Sequence, residues 1–283
     1  MKNWIIEQLY PEYGQSMRVD EMLYEGTGDL QSLKVFHNER FGRVLTLDNI
    51  VQTTQADNFI YHEMLTHLPI IAHGNAKNVL IIGGGDGGMA YEALRHQSIE
   101  KVTMVEIDSA VVEFSKQHLP MLSNGAFDDP RLNLIINDGA LFMKETKDKY
   151  DVIIVDSTDP IGPGEVLFTH EFYSDAKKAL TEEGILVTQN GVPFMQGDEL
   201  TTSLTHFKSL FKDWSAYTAT IPTYAGGPMA FGWATDSEKH RFKTVEEIAA
   251  RFSEEDFETH YYNPEVHVAA FALPQYIKKL FPV

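Results

Sequence analysis

Carboxylates standing just past short apolar runs are the feature of this chain most able to do chemistry: Asp86, Glu106, Asp108, Asp138, Asp156 and Asp159. The last two sit three residues apart in Asp156-Ser157-Thr158-Asp159-Pro160-Ile161-Gly162-Pro163-Gly164. Like charges that close raise each other's proton affinity unless a cation lies between them. A diamine would supply that cation at one end and leave one carboxylate able to take a proton from an attacking amine. An exposed acidic turn is the plainer reading, but the prolines freeze a geometry that a solvated turn does not need.

A second constellation, Gly83-Gly84-Gly85-Asp86-Gly87-Gly88, follows the apolar run 79–82 and precedes a helical pattern through Met89, Ala90, Ala93 and Leu94. Strand, glycine turn and helix form a nucleotide-binding crevice, and Gly83, Gly85 and Gly88 satisfy the GxGxxG spacing of dinucleotide sites. Those sites lay a pyrophosphate on the positive end of the helix. A carboxylate inside the loop would repel that anion and attract a sulfonium or an ammonium. The loop therefore suits a nucleoside that carries positive charge and no phosphate, such as S-adenosylmethionine or a relative, although Asp86 could simply cap the helix. Glu106, about twenty residues on at the end of the next strand, is placed to accept hydrogen bonds from ribose hydroxyls. Asp138-Gly139 suits an adenine site, with a carboxylate for the exocyclic amine and a glycine leaving room for the ring; a turn with a helix cap is the other reading. No lysine or arginine appears at these strand ends.

These residues need a scaffold that brings strand ends together. From Lys77 onward strand and helix patterns alternate: strands at 79–82, 101–106, 132–136, 152–155 and 185–189 are followed by helices or by a polar loop and a helix. A closing β pair is expected at 214–221 and 229–235 around Ala225-Gly226-Gly227, with peripheral helices near 242–252 and 274–280. The expectation is an α/β domain over 55–283, a mostly parallel sheet with helices on both faces, whose ligands sit beyond the carboxyl ends of its strands. Residues 1–54 read as a small antiparallel β domain, with strands at 19–24, 33–36, 44–47 and 50–53. These are too few for a comfortable core of their own, so they should pack on the main domain or on another subunit. Between the two, 54–69 reads as a helix capped by Thr53 or Thr54 and ended by Pro69, with Ala56, Ile60, Met64 and Leu68 on its apolar stripe. Tyr61-His62-Glu63 lies beside that stripe and reads, by pattern alone, as helix surface.

Composition narrows the partners. A hydrophobic fraction of 43% supports a full core. A net charge of -18 argues against nucleic acid or an anionic membrane. Cysteine is absent, which removes thiolate metal sites, disulfides and cysteine nucleophiles. The start of the chain lacks an apolar core of signal length and no run approaches a membrane span, so a cytoplasmic location is expected.

Taken together, the glycine loop, Val105-Glu106-Ile107-Asp108, the 156–163 loop, Gln52-Thr53-Thr54, Tyr61-His62-Glu63-Met64 and Ile221-Pro222-Thr223-Tyr224 resemble the spermidine synthase family of polyamine aminopropyltransferases. The resemblance keeps the family's order through to Tyr262-Asn263-Pro264. It implies a Rossmann-like sheet of the S-adenosylmethionine-methyltransferase type. It also implies transfer of an aminopropyl group from decarboxylated S-adenosylmethionine to a diamine, typically putrescine, with no metal or cofactor and with a homodimer or homotetramer as the assembly.

Residue by residue, the resemblance makes Asp156 the proton acceptor and Asp86 the holder of the aminopropyl ammonium. Glu106 becomes the ribose contact, and Asp138, Gly139 and Pro163 line the adenine site. Gln31 reaches the nucleoside from the N-terminal domain. Tyr61, His62, Ser157, Thr158, Asp159 and Tyr224 line the amine site. Three places depart from the family pattern: Ala90-Tyr91 after the glycine loop, Asn58 before the Tyr-His-Glu triplet, and Ala225 after Tyr224. Ala225 could widen the acceptor site, so the amine stays open among putrescine, cadaverine, agmatine and spermidine. A methyltransferase using intact S-adenosylmethionine is the rival within the fold; a catalytically silent polyamine-binding protein is the rival outside it.

Overall fold

A computed structural model describes residues 3–27, 31–157 and 162–283. The N-terminal part is a hairpin, β1 (Asn3–Tyr10) and β2 (Tyr13–Val19), followed by a meander of β3 (Glu21–Thr27), β4 (Ser32–Asn38), β5 (Gly42–Leu47) and β6 (Ile50–Thr54). Helix α1 (Asn58–His73) leads into β7 (Asn78–Gly83), α2 (Gly88–Arg95), β8 (Lys101–Glu106), α3 (Ser109–His118), α4 (Pro120–Ser123), β9 (Leu132–Ile136), α5 (Gly139–Glu145) and β10 (Tyr150–Asp156). The rest comprises α6 (His170–Ala179), β11 (Leu180–Gln189), α7 (Gly197–Leu210), β12 (Asp213–Ala219), β13 (Met229–Thr235), α8 (Val245–Phe252), α9 (Pro264–Ala269) and α10 (Gln275–Lys278).

The central sheet runs β12-β13-β11-β10-β7-β8-β9. β7 to β11 are mutually parallel, while β13 is antiparallel to both β11 and β12. Its middle strands are continuous apolar runs because both faces are covered. Val79, Ile81, Val152 and Ile154 join the core under α1 and α2, whereas Leu80, Ile82, Ile153 and Val155 join the one under α5, α6 and α7. From β7 the chain builds outward through β8 and β9, then returns to place β10 on the other side of β7. That reversal opens a crevice between the ends of β7 and β10, where Asp156 lies opposite Gly83 in register.

Helix α1 departs from the expectation in two ways. It runs through Pro69 to His73 and is ended by Gly74, whose φ of 78° only glycine adopts readily. An interior proline costs roughly 3 kcal/mol, but the turn beyond it buries Ile70 and Ile71, each contributing about 1.5–3 kcal/mol. Burial prevails, and the helix continues. Its residues from Ile60 to Ala72 are all buried, so Tyr61-His62-Glu63 is interior and not helix surface. At the other end Asp57 stands at the N-cap position that Thr53 or Thr54 was expected to fill.

The β meander packs Leu33, Val35, Leu45 and Leu47 against Val111, Phe114, Leu119 and Leu122 of the α3–α4 region. The hairpin β1–β2 covers the meander's other side through Ile5 and Met17. The strand expected at 19–24 is instead the junction of β2 and β3, broken at Asp20. Among the described residues, no helix is long and apolar enough to cross a membrane.

Candidate active site

Gln31, Tyr61, His62, Asp86, Glu106, Asp138, Gly139, Asp156, Ser157 and Tyr224 all line one cavity of about 570 Å³ beyond the carboxyl ends of β7, β8 and β10. Thr158 and Asp159 lie outside the described residues, and Pro163 is placed only as part of a short 3-10 helix, Gly162–Phe168. Among the described lining residues there is no lysine and no arginine. Eight carboxylates stand among the described lining residues against one histidine, so the cavity offers a cation strong fields and an anion repulsion.

The glycine loop owes its composition to close neighbours. At Gly83 φ is 87° and a Cβ would lie 2.0 Å from the Asp156 carbonyl oxygen; at Gly88 it would lie 2.1 Å from the His62 ring. Asp86 does cap locally, since its Oδ1 accepts from the Gly88 N–H at 2.8 Å. Its Oδ2 faces His62 Nε2 at 3.2 Å, with 12% of the Asp86 side chain and 4% of the His62 side chain reaching solvent. Burial works against both charges, yet their attraction leaves Asp86 below its ordinary range and His62 above its own. Capping and ligand binding are thus compatible uses of one carboxylate.

Asp156 accepts a hydrogen bond at 2.5 Å from the Tyr61 hydroxyl on its Oδ1. Loss of solvation, then repulsion from Asp86, pushes its carboxyl up to about 6, against the opposing pull of Tyr61 and His62. Burial and the adjacent Asp156 charge keep the Tyr61 phenol protonated, and so a donor. Glu106 is pushed up to about 7, chiefly by burial, while its Oε1 accepts from the Asp108 N–H at 3.0 Å. Asp138 is exposed and caps α5, its Oδ1 accepting from the N–H groups of Ala140 and Leu141 at 2.8 and 2.9 Å. Gln189 at the end of β11 bridges Ser157 O and the Gly191 N–H, tying the neighbouring rim positions together.

Pattern reading passed over several lining residues. Glu7, Tyr10, Tyr13 and Gln15 reach the cavity from β1 and β2, and Asp57 reaches it from the start of α1. None lies at the end of a parallel strand, the only positional rule available for finding them. For Asp57 a faint signal existed, an acidic residue at the threshold of a helix beside the Gln52-Thr53-Thr54 motif.

A sheet reversal with a glycine loop and an acidic cavity beyond the strand ends defines a protein of the Rossmann-like class, whose ligands bind in that crevice. Residues 58–244 match the family described as the spermine/spermidine synthase domain, and residues 3–55 match the spermidine synthase tetramerisation domain. The chain belongs to the spermine/spermidine synthase family, the polyamine aminopropyltransferases. It is 66% identical to a polyamine aminopropyltransferase of Ruegeria sp. (strain TM1040), over 99% of this chain and 98% of that one. With the Pseudomonas syringae pv. tomato polyamine aminopropyltransferase it shares 56% identity over 96% and 95% of the two chains. Among solved structures, a spermidine synthase in complex with the transition state analogue AdoDATO superposes with a TM-score of 0.93 at 37% identity, covering 99% of this chain and 94% of the other. The spermidine synthase of Thermotoga maritima gives 0.90 at 36% identity, with the same coverage.

Proposed function

We propose that this chain transfers the aminopropyl group of decarboxylated S-adenosylmethionine to putrescine, giving spermidine and methylthioadenosine. The amine nitrogen attacks the propyl carbon bonded to the sulfonium. A carbon–nitrogen bond forms, the carbon–sulfur bond breaks, and its electron pair stays on a neutral thioether. That leaving group is already activated, so the chemistry asks for no metal and no cofactor beyond the co-substrate. The obstacle is the nucleophile, because a primary amine is mostly protonated near neutral pH.

Asp156 is assigned as the acceptor of the amine proton, directly or through water. Its position in a cavity without described lysine or arginine, under the Tyr61 hydroxyl, is the observation that carries the reading. A carboxyl raised to about 6 is ionised at neutral pH and yet more basic than an ordinary carboxylate. Asp86 and the acidic loop after Asp156 would hold the distal ammoniums, and orientation then supplies much of the rate. Glu106 would take the ribose hydroxyls; Asp138, Gly139 and Pro163 would take the adenine, with Gln31 closing over the nucleoside. Tyr61, His62, Ser157, Thr158, Asp159 and Tyr224 would line the amine path. An acidic pocket also disfavours intact S-adenosylmethionine, whose carboxylate would meet Asp86.

Incubation with either sulfonium plus putrescine, cadaverine, agmatine or spermidine, followed by mass detection of products, tests the assignment. Spermidine from the decarboxylated donor is expected; a methylated amine from the intact one would replace this reading with methyl transfer. We further propose self-association through residues 3–55 as a dimer or tetramer, for which the exposed Trp4 and Ile6 on β1 offer apolar surface. Sedimentation showing a monomer would refute it.

A further inference from the structure

Asp57 occupies the N-cap position of α1, yet its side chain makes no capping bond. A capping aspartate contributes about 1 kcal/mol to a helix, and here that gain is forgone. Both carboxylate oxygens are instead used elsewhere. Oδ1 accepts from the Thr54 hydroxyl at 2.6 Å; Oδ2 accepts from the Thr223 N–H at 2.7 Å and from the Thr223 hydroxyl at 2.6 Å. The residue is 6% exposed and lines the cavity. Its partner Thr223 is 1% exposed, and the Thr223 carbonyl accepts from Gln15 Nε2 at 2.9 Å. All three polar groups of Thr223 are therefore held, two by the helix start and one by the β1–β2 hairpin.

The neighbour of Thr223 makes this clamp matter. The Tyr224 hydroxyl donates to Gln52 O at 2.5 Å, and its ring meets Tyr61 edge-on with centroids 6.0 Å apart. Tyr61 is the residue whose hydroxyl binds Asp156. A continuous run of contacts therefore leads from Asp57 through Thr223, Tyr224 and Tyr61 to Asp156. It joins β2, β6, α1 and the loop before β13, segments far apart in the sequence.

We propose that Asp57 is a positioning residue for the acceptor amine, fixing Thr223 and so the cavity wall that Tyr224 and Tyr61 form together. The proposal rests on the aminopropyl-transfer reading above. Position and charge can be separated, because an asparagine can reproduce the bonds: its Oδ1 accepts both Thr223 donors while its amide donates to the Thr54 hydroxyl, which can turn to accept. Position predicts that Asp57→Asn behaves nearly as the parent and Asp57→Ala does not. Attraction of the cationic amine by the Asp57 charge predicts that both variants fail alike.

The test is steady-state kinetics with decarboxylated S-adenosylmethionine and putrescine, together with calorimetric binding of methylthioadenosine to the free protein. Asp57→Ala should raise the putrescine KM by about tenfold or more, while methylthioadenosine affinity stays within about twofold and Asp57→Asn recovers most of the loss. Should Asp57→Ala fail to fold, Thr223→Val removes one donor only and should raise the same KM by about threefold. An unchanged putrescine KM in Asp57→Ala and Thr223→Val overturns the proposal. So does an equal loss of nucleoside affinity, or an Asn variant as impaired as Ala. A parent protein that neither transfers aminopropyl groups to putrescine nor binds it would strike first at the reading of function, and this proposal would fall with it.

Discussion

On one side of the cavity Glu106 and Asp156 stand at the ends of parallel strands, placed by the register of a sheet whose central residues are almost wholly buried, and Asp138 follows just past the end of β9 as the N-cap of α5. On the other side Tyr61, His62, Asp57 and Tyr224 come from a helix and a loop, and their mutual placement depends on side-chain hydrogen bonds and ring contacts. A strand end is held by many backbone bonds at once. A helix–loop contact is held by a few side-chain bonds, each worth about 0.5–1.5 kcal/mol. The first side should therefore tolerate exchange of one functional group with its geometry intact, whereas on the second a small steric change should displace the site.

The largest expected effect lies on the rigid side. Asp156→Asn should lower kcat by on the order of a thousandfold, with methylthioadenosine affinity within about threefold of the parent. Retained turnover would remove the base assignment.

The same substitution should also reveal what the acidic cavity costs the fold. The Asp156 carboxyl rises from an ordinary 3.8 to about 6 on folding, so the folded chain binds that proton more tightly than the unfolded one. The resulting stability is fully present below about pH 4 and is lost as pH rises through about 6. Asp156→Asn should accordingly be more stable than the parent by up to about 3 kcal/mol above pH 6. The gap should close toward pH 4, as read from denaturation midpoints across that range.

On the softer side, Gly88→Ala would bring a methyl group into the His62 ring and push it from Asp86. A loss of about 2 kcal/mol in stability is expected, together with a raised putrescine KM. An alanine variant with parental midpoint and KM would erase the distinction drawn between the two sides. The smallest effect is expected from Glu106→Gln, which should weaken methylthioadenosine binding by about tenfold and leave the putrescine KM unchanged. A shift in both would mean that the halves of the cavity are coupled.

This asymmetry also governs how far the chain could be read from its residues. The alternation of strands and helices from Lys77 onward, the antiparallel closing pair and the N-terminal β unit all follow from patterns that the structure bears out in kind. Apolar runs flanked by glycine or acidic residues mark strand ends whatever surrounds them. Helix α1 shows where local rules stop. Pro69 and the polar triplet 61–63 suggest an early end and a wet face, but the helix threads between the sheet, α2 and the C-terminal segment. Glu63, with no solvent exposure, accepts from the N–H groups of His260, Tyr261 and Tyr262, partners nearly two hundred residues away that no local pattern indicates.

What the amino-acid order decided alone was the alphabet of the site: glycines where the backbone must turn sharply, carboxylates and amides at strand ends, and no cation among them. These are local consequences of side-chain chemistry and strand periodicity. Only the tertiary structure decided which of those groups share a cavity, that Tyr61 meets Asp156, that His62 fills the space Gly88 leaves open, and that Asp57 reaches across to Thr223. Such pairings depend on sheet order and on one helix buried on every side, and these are settled by packing of the whole chain rather than by any stretch of it.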